Sequence, residues 1–333
     1  MASINTSSDD KIYLAYRFAG PSADLIVPAV TLNLVALVGI VLNGTVLVVT
    51  VKSSSLRGSA NFLMALICLC ELVHQIGHTF FLVVVISGTN FVSLLTADLF
   101  LAPSVFALNC GLMAMFCAAV DRLFAVLMPF KHSSICVKHK FPYLLGHLLI
   151  CILYGAYIQY HVLASALKNA GKPTNGLLSD AFQDDIYQFF IGGFYSISFG
   201  CICCYVTIFL TVRLQKGVTQ QTNTRLLRSL VTILSINIGG YLSTVIMIQL
   251  LATIGKMYLS PFRVWQFSFV VSILLNVVAG SNVIVLFLNS TEYRQLFKKE
   301  LRVVKEHFLK RNAVQPIGII KVKSNITRVH PIK

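Results

Sequence analysis

Apolar residues are gathered into seven long blocks along this chain, at about residues 25–51, 61–87, 98–123, 141–167, 186–214, 226–254 and 261–288. Each is long enough to cross roughly 30 Å of hydrocarbon as an α-helix rising about 1.5 Å per residue. The connections between blocks are short, and no internal repeat is visible. The pattern predicts an all-α fold, a single bundle of seven membrane-spanning helices. After the last block the pattern changes. Tyr293, Leu296, Phe297, Leu301, Val304 and Phe308 recur at helical spacing, while Arg294, Lys298, Lys299, Arg302 and Lys305 fill the remaining arc. This predicts an amphipathic helix lying along the membrane surface. The chain thus divides into an amino-terminal segment (1–24), the bundle (25–288), a juxtamembrane helix (289–312) and a basic tail (313–333).

The second block carries an anomaly. Glu71, His74, Gln75 and His78 fall at i, i+3, i+4 and i+7 and share one helix face. Hydrocarbon offers such groups no partners, so the face is expected to look into the bundle. His74 and His78 also have zinc-ligand spacing, with Glu71 as a third donor. However, Gln75 stands where a metalloprotease helix would carry its Glu. The histidines are therefore read as pocket or structural residues, and no metal, cofactor or catalytic residue is expected.

Composition sharpens the class. The 333 residues are 56% hydrophobic and only 12% charged, with a mean hydropathy of +0.78. Soluble domains carry about 25% charged residues, so this is an integral membrane protein. Charge also predicts the orientation. With the amino terminus outside, the inner loops and tail hold 21 Lys and Arg against four acids, Asp121, Glu292, Glu300 and Glu306. The outer segments hold six basic residues against seven acidic ones. Such asymmetry places the amino terminus outside and the carboxyl terminus inside. The basic excess suits anionic membrane lipid on the inner side, not nucleic acid. Asn5, in Asn-Thr-Ser, is then a glycan acceptor on an outward tail. None of the nine cysteines falls in an outer loop, so no extracellular disulfide is expected.

Short motifs narrow the function. The third block ends in DRLFAVLMPF, residues 121–130. This resembles the Asp-Arg-Tyr-x-Ala-x-x-x-Pro pattern of rhodopsin-like G-protein-coupled receptors, with Asp121, Arg122, Ala125 and Pro129 in register and Leu123 in place of the aromatic. Asn43, Asn61, Glu71 and Asn282 fall at further landmark positions of that superfamily, Glu71 where an Asp is usual. The run from Ser290 through Thr291, Glu292 and Tyr293 to Arg294 resembles the Ser-x-Glu-Tyr-Arg signature of nematode chemoreceptors of the Srsx type. Departures are numerous. The outer cysteine pair, the Cys-Trp-x-Pro of the sixth span and the Trp of the fourth are all missing, and Trp265 is the only Trp.

The resemblance implies a non-enzymatic chemosensory receptor in the plasma membrane of sensory neurons, coupling a small-molecule ligand outside to a heterotrimeric G protein inside. It also implies that Asn43, Glu71 and Asn282 meet in the middle of the bundle as switch residues, with Asp121, Arg122 and Pro129 at the coupling face. Gly111 and Ala279 stand where oxygen ligands for sodium would be, so sodium binding is expected to be weak or absent. Ser104 replaces the Asp of amine receptors and Asn276 the Lys of opsins, so neither an amine nor retinal is expected.

Candidate ligand-binding residues are Ser104, Asn109, Phe190, Phe194, Tyr241, Gln249 and Asn276, with His74 and His78 at the base. Charge in the outer halves of the spans is confined to the boundary residues Asp98, Asp185 and Arg263, so the ligand is expected to be uncharged. The alternative function is a proton- or cation-coupled transporter using Glu71, His74 and His78 as a relay. Against it stand the scarcity of acids within the spans and the lack of inverted halves.

Overall fold

The structure is a computed structural model and describes residues 8–182, 184–214 and 221–313. Asn5 and the tail beyond 313 lie outside the described residues, as do the side chains of Asp185, Val304 and Phe308. A short helix α1 (Ser8–Tyr16) precedes the bundle. The bundle comprises α2 (Ala23–Lys52), α3 (Ser59–Ile76), α4 (His78–Ile86), α5 (Leu94–Leu127), α6 (Pro129–Lys138), α7 (Lys140–Lys168), α8 (Asp184–Leu214), α9 (Gln221–Leu250), α10 (Lys256–Tyr258), α11 (Pro261–Gly280), α12 (Asn282–Asn289) and α13 (Thr291–Ala313). Strands β1 (Val92–Ser93) and β2 (Pro173–Thr174) form a small antiparallel pair beside α5. Among the described residues, seven helical segments are long and apolar enough to cross a membrane: Ala23–Lys52, Ser59–Ile86, Leu94–Leu127, Lys140–Lys168, Ile186–Leu214, Ser235–Gly255 and Phe262–Asn289. Helix α5 is central and packs on α3, α7 and α8.

The third span runs longer than its apolar block at both ends. Ser93 caps it by accepting from the Thr96 N–H at 3.2 Å. It stops at Met128, whose φ of −134° is what a residue preceding proline is pushed towards. The second and seventh blocks, by contrast, are each interrupted. At Gly77 the chain tightens, so that the Gly77 N–H bonds His74 O at 3.1 Å. The Val73 carbonyl then accepts from Ser104 Oγ at 3.1 Å. Space there is tight, since a Cβ on Gly77 would lie 2.5 Å from Ser104 Oγ. At Ser281 the second break leaves the Ala279 carbonyl accepting from Asn43 at 3.1 Å and Asn282 at 3.3 Å.

The Ser-x-Glu-Tyr-Arg run has a structural meaning. Ser290 Oγ accepts from the Tyr293 N–H at 3.3 Å and caps α13. Arg294 donates to the carbonyls of Phe287 at 2.8 Å and Leu288 at 2.6 Å, which end α12. Tyr293 and Phe297 are buried against Val46, Val49, Leu56 and Met64, and the Tyr293 hydroxyl meets Thr50 Oγ1 at 3.1 Å. The predicted amphipathic helix is thus pinned to the bundle by its first two turns. Leu301, expected on the same apolar arc, is 66% exposed.

Candidate functional site

Toward the β1–β2 end of the bundle lies a cavity with about 790 Å³ of empty space, its open mouth included. Its roof is the loop after β2. There Thr174 donates to Asp180 at 2.5 Å, Thr174 Oγ1 accepts from the Gly176 N–H at 3.0 Å, and Asn175 Oδ1 accepts from the Leu177 N–H at 3.1 Å. Gly176 has a φ of +80°, and a Cβ there would meet the Phe80 ring at 2.7 Å, so only glycine suits the bend. These bonds turn Leu177, Leu178 and Phe182 into the cavity, where Phe182 stacks on Phe190 at 4.1 Å. Phe190 and Phe194 of α8, Leu108 and Leu112 of α5, and Tyr241 and Val245 of α9 form the walls. No Asp, Glu, Lys or Arg is among the lining residues described.

His74, His78, Ser179, Thr244, Ser272 and Asn276 supply the polar lining, beside the hydroxyl-bearing Tyr241. Asn276 Nδ2 bonds Ser272 O at 2.9 Å and His78 Nε2 at 3.0 Å. Below, the Tyr241 hydroxyl donates to Glu71 Oε1 at 2.5 Å, and His74 Nδ1 lies 3.4 Å from Glu71 Oε2. The inward-facing stripe is therefore real, and all four of its members are buried.

Six of the nine residues singled out as ligand candidates line this cavity: His74, His78, Phe190, Phe194, Tyr241 and Asn276. The other three are engaged elsewhere. Ser104 serves the Val73 carbonyl, Asn109 Nδ2 bonds Val105 O at 2.8 Å, and Gln249 accepts from the Tyr195 hydroxyl at 2.6 Å. The roof and most of the apolar wall were missed, because nothing local marks which face of a uniformly apolar helix meets empty space. Asp98, expected at a boundary, is buried at 2% exposure, yet it is not part of the lining.

The switch residues separate into two groups. Asn282 Nδ2 donates to Asn43 Oδ1 at 3.3 Å, and Asn237 Nδ2 donates to Asn282 Oδ1 at 2.7 Å. Glu71 belongs instead with Tyr241 and His74. The expected trio is thus a pair of asparagines joined by a third, with the acid one layer nearer the cavity. Asn237 could have been noticed as an amide in an otherwise apolar stretch.

At the opposite end, Asp121 is fully buried. Oδ2 accepts from Arg122 through both Nε, at 2.9 Å, and a terminal guanidinium nitrogen, and from Ser59 at 3.3 Å. Oδ1 meets His132 Nε2 at 3.0 Å and the Tyr143 hydroxyl at 2.9 Å. One carboxylate therefore gathers α3, α5, α6 and α7. Pro129 opens α6 at its first position, which suits a residue lacking an N–H.

Over residues 36–301 the chain matches the family described as serpentine type 7TM GPCR chemoreceptor Srsx. No curated protein matches the chain.

Proposed function

The chain belongs to the Srsx family of serpentine seven-transmembrane chemoreceptors, a non-enzymatic receptor family, and from that premise we propose what this member does. It sits in the plasma membrane of a sensory cell with its amino terminus outside. It binds a small uncharged molecule from the outer side and activates a heterotrimeric G protein at the Asp121–Arg122 end. The observation that carries the ligand reading is the roofed cavity, whose lining is apolar apart from a few neutral polar groups and two histidines. Small-molecule sites have this composition, and a permanent cation would find no countercharge in the lining.

The same cavity supports a mechanism. Its floor contains Tyr241 and His74, and both reach Glu71. A ligand that shifts α9 against α3 would strain the Tyr241–Glu71 bond, and α9 also carries Asn237 to the Asn43–Asn282 pair. Movement of α9 is thus coupled to the polar layer beneath.

Cells expressing the chain, exposed to a panel of neutral volatile and soluble odorants, should give ligand-dependent calcium or cyclic-nucleotide signals. Phe194→Ala should weaken the response by about tenfold or more, since a buried aromatic wall is removed. An activating ligand that is a permanent cation, lost on mutating a single Asp, would sink the proposal.

A further inference from the structure

We infer that Cys117 and Cys151 are a dithiol that hydrogen peroxide closes into a disulfide between α5 and α7. Their sulfurs lie 4.0 Å apart. Both residues are buried, at 3% and 1% exposure. A disulfide needs about 2.05 Å between sulfurs, so closure takes side-chain rotation and a small approach of the helices. The two backbones are already close along this seam. A Cβ on Gly155 would lie 3.1 Å from the Phe106 carbonyl. The Cys110 thiol donates to the Cys151 carbonyl at 3.2 Å. Cys110 is thereby engaged with backbone, and Cys117 is the residue whose sulfur meets that of Cys151.

Buried thiols in apolar surroundings are normally inert. This pair has a neighbour that changes its chemistry. His147 precedes Cys151 by four residues on α7, so the two share a helix face. Both ring nitrogens of His147 are buried without a hydrogen-bond partner, and the ring is within electrostatic reach of Cys117. A bare imidazole nitrogen takes up the thiol proton as the sulfur attacks. The Cys117 sulfur bonds to one peroxide oxygen, the O–O bond breaks, and the departing hydroxide leaves as water with that proton. The Cys151 sulfur then attacks the sulfenic acid on Cys117, the S–O bond breaks, and the hydroxyl leaves as a second water with the Cys151 proton. Two thiols are oxidised and one peroxide is reduced. The new bond fastens the central helix to α7, which the Asp121–Tyr143 contact already joins to it.

The test treats purified full-length receptor in nanodiscs with hydrogen peroxide, then blocks the remaining thiols and maps the digest by mass spectrometry. A Cys117–Cys151 cross-linked peptide should form, and dithiothreitol should remove it. Oxidised glutathione should leave both thiols intact, because a tripeptide has no access to sulfurs so deeply buried. Cys151→Ser, a near-isosteric change, should give no cross-link and leave Cys117 as sulfenic acid, trapped by dimedone. Both thiols intact after peroxide would overturn the inference. So would oxygen addition to Cys117 in the wild type without cross-linking, or a disulfide that pairs Cys117 with another cysteine. Cross-linking by oxidised glutathione would overturn the assignment of peroxide as the oxidant.

Discussion

Replacing Asp121 by Asn removes one of two carboxylate oxygens that together serve Arg122, Ser59, His132 and Tyr143. Charge-assisted bonds of this kind contribute about 1.5–3 kcal/mol each. Asp121→Asn is expected to loosen the resting arrangement and raise basal G-protein activity, measured as ligand-free cyclic-nucleotide or calcium signal per receptor at the surface. Arg122→Ala should abolish coupling while surface expression and ligand binding persist; a receptor that signals fully with Ala at 122 would remove the switch role. The Asp121–Arg122 pair was legible because the two residues are adjacent and sit in a recognisable motif. Ser59, His132 and Tyr143 were not, because they arrive from three other helices and no local pattern points to Asp121. Ser104 is a related case. Its hydroxyl looked available for ligand, and only the tightened turn at Gly77 shows that the Val73 carbonyl claims it.

Helix α13 shows the same division within one element. Its helical period and charged arc could be read directly, but not which apolar residues face protein. Phe297 is 3% exposed and packs on the bundle, whereas Leu301 is 66% exposed. The two positions should therefore respond differently. Phe297→Asp places a charge in a packed apolar cluster and should detach the helix and lower surface expression severalfold. Leu301→Asp should leave expression close to wild type and weaken only association with lipid. Flow cytometry on an amino-terminal epitope separates these outcomes, and equal loss from both variants would contradict the packing. The Lys52–Glu300 pair at 2.8 Å spans α2 and α13 but is solvent-facing on the Lys side, so its removal should matter far less than that of Phe297.

For the molecule as a whole, the seven-helix count and the approximate span limits were legible because a bilayer imposes its thickness on sequence. The breaks at Gly77 and Ser281 were less so, since each depends on a partner side chain from another helix. Orientation is a separate claim, carried by the bias of basic residues toward one side. It predicts that a carboxyl-terminal epitope is detected only after permeabilisation, while Asn5 carries a glycan that glycosidase removes and Asn5→Gln abolishes. Surface staining of the carboxyl terminus on intact cells would reverse the bundle. The roof over the cavity adds one more consequence. It is held by the β1–β2 pair, by the Thr174 and Asn175 side chains and by apolar contact, and all nine cysteines are free thiols. Folding of this receptor then asks nothing of the oxidative machinery of the secretory pathway. Cells treated with a thiol reductant during synthesis should still deliver it to the surface, and the same reductant applied outside should leave odorant responses unchanged. The roof would keep its shape in a thiol-reducing medium strong enough to open an outer disulfide.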